Sequence, residues 1–476
     1  MRPHVLCVVL DTARADALEP YGAPSGSTPT IADLAARGTS LPEAFAAACW
    51  TLPSHASMFT GLLPRAAGLA RAPGGKPHGA RPVLESHRDR LLPEVLRRAG
   101  YRTAAVSSNL WITERSGFAT GFDEFVMVET GRQAVLHRSD RRSRMRWALE
   151  GVRARADDGA AEAERVLGRM VDERPEQPCF WFVNLTECHS PYLPPRPYND
   201  LPPLDRLRAA EEARRHLTLD AIWRACAGGF DVPDEALERM RHLYGRSVRA
   251  LDDWLGRVLE HFEQAGILDD TLVIVTSDHG ENFGEAGLLA HAFSLDDRLI
   301  RVPLVLAGPG AEPREGPFSL AELPRMVAEA VGLDEHPWSD GLPQDVAVAQ
   351  FDPPTDASDP RVGEAVTRWG LGEEAIPRIS TPLTAVTDGR RKLLRAGSDH
   401  LLYELDQDPL ELEPRALDRA VPTRENGSLG ALWEGLEHAG TTATHDGPAA
   451  TASTATTTPQ NELARIEDQM RLLGYM

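Results

Sequence analysis

The chain reads as a doubly wound α/β protein: a mostly parallel sheet with helices on both faces, plus a small C-terminal subdomain. Three observations predict this. Continuous apolar runs of strand length recur at residues 5–10, 180–185, 271–276 and 302–306. They lack the polar alternation of a half-exposed strand, so both of their faces must be covered. Helical stretches separate them, as in βαβ units. Polar residues stand where the runs stop: Asp11, Thr186-Glu187-Cys188-His189 and Ser277-Asp278-His279. Open parallel sheets gather functional groups at such C-terminal strand ends.

The first strand is 5–10, with Asp11 at its end. Thr28-Pro29-Thr30 then opens a helix over 31–37, which Gly38 ends, because proline suits a first turn and glycine a last one. A helix over 54–59 follows just after Thr51. Thr51 therefore stands near a helix N-terminus, whose partial positive charge favours an anion. A helix over 91–99 stops at Gly100, and 103–107 is the next strand. Residues 132–155 are arginine-rich and helical, and 160–171 continue helical. After the strand at 180–185 come a proline-rich loop over 191–203 and a long helix over 235–265, ended by Gly266. The strands at 271–276 and 302–306 precede a helix over 320–331. Beyond about residue 335 the elements shorten, and 384–395 and 401–405 read as strands. The domain reading is thus a catalytic α/β domain over 1–335, a subdomain over 336–420, a low-complexity linker over 421–460 and a terminal helix over 461–476. The linker is assigned from its Ala, Thr, Gly and Ser content without apolar periodicity.

At 476 residues the chain can bury a large core. It carries 71 Asp+Glu against 51 Lys+Arg, a net charge of −20, which argues against a nucleic-acid partner. Lys76 and Lys392 are the only lysines. That balance suits a protein kept soluble in high salt, and a GC-rich genome would also favour arginine. The five cysteines are odd in number and form no Cys-x-x-Cys, which reads as a reduced, cytoplasmic set. No apolar run reaches membrane length and none ends in a small-residue cleavage site, so no membrane partner is expected. Arg138, Arg141, Arg142, Arg144 and Arg146 form a basic cluster, either a solvated helix face or a docking site for a polyanion.

Chemistry concentrates at the strand ends. Asp11, Asp278 and His279 offer two hard oxygens and a nitrogen, and Thr51 Oγ completes a four-ligand set for one divalent ion. The imidazole favours Zn²⁺ or Mn²⁺, with Ca²⁺ or Mg²⁺ the alternatives. As single residues, each has a plainer reading. Asp11 fits a turn, Thr51 a helix cap, His189 a loop held by Pro191 and Tyr192, His55 a helix face and Arg14 a surface ion pair.

Asp11-Thr12, Thr51-Leu52-Pro53-Ser54-His55 with Thr60-Gly61, His189-Ser190-Pro191-Tyr192, Ser277-Asp278-His279-Gly280-Glu281 and Leu402-Tyr403-Glu404-Leu405 run in this order along the chain. Together they resemble the sulfatase family of the alkaline phosphatase superfamily. The resemblance implies a metal-dependent ester hydrolase acting on an anionic sulfate or phosphate ester, with a glycan among the candidate substrates. It implies Asp11, Asp278, His279 and Thr51 as metal ligands, Thr51 as nucleophile, and His189, His291 and His55 around the transferring group; Arg14 could orient Asp11 or contact the anion. Two positions depart from the pattern. Thr51 replaces the cysteine or serine that sulfatases oxidise to formylglycine, and oxidising a threonine would give a ketone. Thr12 replaces a second aspartate ligand, which favours a single smaller ion. A two-metal site using Glu187, His189 and His291 is the alternative. Two further readings stay open: a phospho-group transferase to a soluble acceptor, and a non-catalytic anion binder. Oligomeric state is unspecified.

Overall fold

The structure is a computed structural model that describes residues 2–128, 141–338, 343, 345–417 and 429–441, with only the backbone of 141–144 and 441. The strands β1 (His4–Leu10), β2 (Thr39–Ser40), β3 (Arg102–Ser107), β4 (Glu124–Met127), β5 (Cys179–Leu185), β6 (Thr271–Thr276) and β7 (Leu304–Ala307) form one sheet. Their order is β2-β7-β6-β1-β5-β3-β4. The central strands pair in parallel, and β7 runs antiparallel to both β6 and β2.

The apolar runs become central strands because each face meets its own helix layer. Leu6, Val8 and Leu10 pack with α1 (Pro29–Arg37), α4 (Ala160–Asp172) and α5 (Asp234–Gln264), through Ile31, Leu167, Trp254 and Phe262 among others. Val5, Cys7 and Val9 pack on the opposite side with α2 (Thr51–Thr60), α3 (Leu92–Arg98) and α6 (Leu323–Ala330), through Leu52, Phe59, Leu96 and Val327. Each such side chain contributes about 1.5–3 kcal/mol when taken fully from water. The doubly wound fold is therefore as the sequence predicts. In register, Val9 lies opposite Asn184 on β5 and Thr276 on β6, so Asp11 emerges between the ends of those two strands.

A second, antiparallel sheet holds β8 (Ala347–Phe351), β9 (Leu383–Thr387), β10 (Arg391–Ala396), β11 (Asp399–Glu404) and β12 (Arg415–Leu417) in sequence order. The stretch expected as strand over 384–395 is two strands, turned at Asp388-Gly389-Arg390. Gly389 supplies the left-handed φ of 85° and Asp388 Oδ1 accepts the Arg390 and Arg391 amides.

The linker expected over 421–460 is corrected in part. Gly430–Thr441 is a helix, α7. It buries Leu432, Leu436 and Ala439 against Val348, Val386 and Leu393. Its small residues hid a helical spacing that only the sheet beneath reveals. The rest of that stretch and the expected terminal helix over 461–476 lie outside the described residues. So does the first part of the arginine-rich helix, of which Arg141–Arg153 is described. Arg146 is exposed there.

Lys392 on β10 is buried. It pairs with Asp297 (2.5 Å) and Glu411 (2.8 Å) and donates to Leu295 O (3.0 Å). Arg298 Nη1 donates to Leu410 O at 2.7 Å. The second sheet is thereby tied to the segment that follows the turn at residues 277–280.

Candidate active site

Asp11 follows β1, Thr51 is the first residue of α2, and Asp278-His279 follow β6. All four are wholly buried. Among the described residues, Asp11, Asp278 and His279 are the three-residue group whose ligand atoms converge within 4.8 Å of one another. Thr51 Oγ1 stands 3.4 Å from His279 Nε2. The expected set thus comes together, from three separate segments.

The donor set fits a cation. Asp11 Oδ1 and Asp278 Oδ2 are buried without a hydrogen-bond partner. His279 Nδ1 lies 3.0 Å from Gly280 O, so its proton sits there and Nε2 presents a lone pair. That lone pair faces Asp278 Oδ2 at 3.3 Å. Two acceptors aimed at each other in a buried site are costly unless positive charge lies between them. Burial pushes Asp11 up to about 7, with the Asp278 charge adding to it. Burial likewise pushes Asp278 up to about 7. Burial, then the neighbouring His291, lowers His279 to about 3, which keeps it neutral as a ligand must be.

Two amides orient Asp11. Asn109, just past β3, donates Nδ2 to Asp11 Oδ2 at 2.6 Å, and Asn184 on β5 does so at 3.3 Å. This leaves Oδ1 for the centre of the site. His55 completes the chain from behind. Its Nδ1 donates to Thr51 O (3.0 Å) and its Nε2 accepts from Asn184 Nδ2 (3.2 Å). The ring lies edge-on to Phe118 and Phe182, and burial lowers it to about 3. His55 is therefore a neutral brace under the site. Thr12 adopts a left-handed φ of 62°, which directs its amide to Asp278 Oδ1 (3.2 Å). Tyr244 holds this turn, donating to Thr12 O (2.9 Å) and accepting the Arg14 amide (2.7 Å).

His189 and His291 come together, their rings 4.9 Å apart, with His291 4.6 Å from the His279 ring. His189 Nδ1 lies 3.0 Å from Ser190 O. His291 Nδ1 lies 3.0 Å from Glu281 Oε1. Arg14 turns elsewhere. Its guanidinium pairs with Asp16 (2.6 Å) and Glu285 (2.9 Å) and donates to Glu281 O (3.1 Å). It braces the backbone after Gly280, where an added Cβ would meet Arg298 O at 2.0 Å. Glu187 is also turned away, accepting the Ala160 amide at 2.7 Å, so the Glu187-His189-His291 alternative is not assembled. Asn109, Asn184 and Glu281 are the residues the sequence reading missed. Asn184 had a signal, a buried amide inside an apolar strand.

The Sulfatase family's sequence model matches residues 3–333. The chain is 25% identical to the choline-sulfatase of Rhizobium meliloti, an alignment covering 91% of this chain and 87% of that one. Among solved structures it resembles the phosphonate monoester hydrolase of Agrobacterium radiobacter (TM-score 0.62, 21% identity, 93% of this chain and 95% of that one). It also resembles a 2-O GAG sulfatase (TM-score 0.63, 16% identity, 94% and 93%).

Proposed function

Since the chain belongs to the sulfatase family of ester hydrolases, we propose that it cleaves a sulfate, phosphate or phosphonate ester with the Thr51 hydroxyl as nucleophile. The observation that carries this reading is Thr51 Oγ1 beside His279 Nε2 at 3.4 Å, at the first residue of α2 and against the Asp11-Asp278-His279 group. Asp11, Asp278 and His279 would hold a divalent ion, Zn²⁺ or Mn²⁺ by the imidazole, which would supply charge that acidifies the hydroxyl and neutralises the ester's oxygens. Thr51 gives up its proton to solvent and forms the bond to phosphorus or sulfur, as the bond to the alcohol oxygen breaks. That oxygen leaves with a proton delivered from His189, and the unprotonated His291 Nε2 accepts a proton from the water of the second step. Water then cleaves the threonyl ester and restores the hydroxyl. The α2 N-terminus favours the anion throughout. The Cβ methyl of Thr51 excludes the aldehyde route, so the chemistry falls to the hydroxyl itself.

The experiment compares initial rates on nitrophenyl sulfate, nitrophenyl phosphate and a nitrophenyl phosphodiester with Zn²⁺, Mn²⁺, Mg²⁺ or Ca²⁺, for wild type, Thr51→Ser and Thr51→Ala. Thr51→Ser should keep turnover, Thr51→Ala should lose it, and a quenched reaction should yield a peptide esterified at Thr51. Full activity in Thr51→Ala removes Thr51 from the mechanism.

A further inference from the structure

We propose that Glu281 is a positioning residue for His291, holding its Nδ1–H so that Nε2 offers its lone pair to the water that cleaves the threonyl ester. This deepens, and rests on, the hydrolase reading above. The device is a tight hairpin. Asn282–Phe283 and Leu289–Ala290 pair antiparallel, with Asn282 opposite Ala290. One step further along that ladder sets Glu281 opposite His291, and directly opposed side chains meet at close range. The result is the 3.0 Å contact between Glu281 Oε1 and His291 Nδ1.

The hairpin is held in an uncommon shape. Ala286, Ala290 and Phe293 all have left-handed φ values, 52°, 59° and 62°. Non-glycine residues persist there only where surrounding structure enforces it, and such strain clusters at functional sites. The enforcing contacts are visible. Arg14 holds the Glu281 carbonyl at 3.1 Å, Arg298 Nε holds Asn282 Oδ1 at 3.1 Å, and the Gly280 amide donates to Leu299 O at 2.8 Å.

An imidazole has two nitrogens and two neutral tautomers, and a hydrogen bond at one fixes what the other offers. With Nδ1 committed to Glu281, Nε2 is the nitrogen left to the rest of the site, where the His291 ring stands 4.9 Å from the His189 ring and 4.6 Å from the His279 ring. Glu281 is wholly buried and its Oε2 has no hydrogen-bond partner. A carboxylate buried beside an imidazole and the Tyr192 hydroxyl is a costly way to brace a loop; directing a reactive ring explains why it is there.

The test uses zinc-loaded protein with ¹⁵N-labelled histidine, in wild type, Glu281→Ala, Glu281→Gln, His291→Ala and the double variant Glu281→Ala/His291→Ala. Wild-type His291 should carry its proton on Nδ1 in the nitrogen spectrum. Glu281→Gln, which still accepts that proton, should keep this tautomer, and Glu281→Ala should lose it. Turnover of nitrophenyl phosphate or sulfate should fall by about tenfold or more in kcat for Glu281→Ala, with little change in KM. Glu281→Gln should recover most of it, and Glu281→Ala should add nothing to His291→Ala. A His291 proton on Nε2, a tautomer unchanged in Glu281→Ala, or additive losses overturns the proposal. If wild type turns over no probe, the hydrolase reading fails, while the nitrogen spectrum still decides the pairing.

Discussion

Stripped of metal, the site holds two carboxyls, Asp11 and Asp278, that burial raises from 3.8 to about 7. Because the folded values lie above the unfolded ones, the folded protein keeps protons that the unfolded chain has released. The metal-free fold therefore carries no penalty below about pH 4. It loses stability as pH rises and bears the full cost above about pH 7, at most about 4 kcal/mol per carboxyl. Metal loading must expel whatever protons remain. At pH 6 each carboxyl is protonated to about nine-tenths, so one ion should release between about one and two protons; at pH 8.5 it should release almost none. His279, already lowered to about 3, adds nothing to this count, although an ordinary histidine would. The assay is calorimetric titration of metal-free protein with Zn²⁺ at both pH values, in buffers of different ionisation enthalpy. Equal proton release at both pH values, or none at pH 6, would refute the picture of two buried carboxyls waiting for a cation.

Three other predictions are as direct. Lys392→Met should leave the buried Glu411 and the half-buried Asp297 without their cation, costing about 3–5 kcal/mol in denaturant unfolding; adding Glu411→Gln should recover part of it. Asn184→Ala removes the amide shared by Asp11 and His55, and should weaken Zn²⁺ binding by about tenfold or more, read by calorimetry. Gly280→Ala drives a Cβ against Arg298 O and should lower both melting temperature and metal affinity; an unchanged melting temperature would show that the turn has slack.

The chemistry-bearing residues legible in the sequence were those at the ends of apolar strands, because a buried parallel strand announces both itself and the residue that leaves it. Asp11, Asp278 and His279 were found that way, and Thr51 as a residue near a helix N-terminus. Glu281 stood in a segment already singled out, yet its partner ten residues on depends on a hairpin register, which residue types alone do not encode. Asn109 and Asn184 are amides with no charge or motif to mark them. His55 was legible as a residue near Thr51, but whether it braces or reacts depends on Phe118 and Phe182, brought from distant segments. Arg14 stood where it could contact an anion, and Asp16 and Glu285 claimed it instead. The helix Gly430–Thr441 failed for a different reason: its glycines and alanines dilute the apolar spacing that the second sheet rewards.

The Lys392 contacts carry a consequence for how this protein can be cut. A truncation after residue 335 would look like a clean separation of two lobes. It would instead remove the cation that neutralises Asp297 and the carbonyl that receives Arg298. Both belong to the segment whose Leu299 carbonyl accepts the Gly280 amide, beside Asp278 and His279. The C-terminal sheet is thus less an appendage than the far wall of a vise, and a shortened gene product should forfeit its metal before it forfeits its fold.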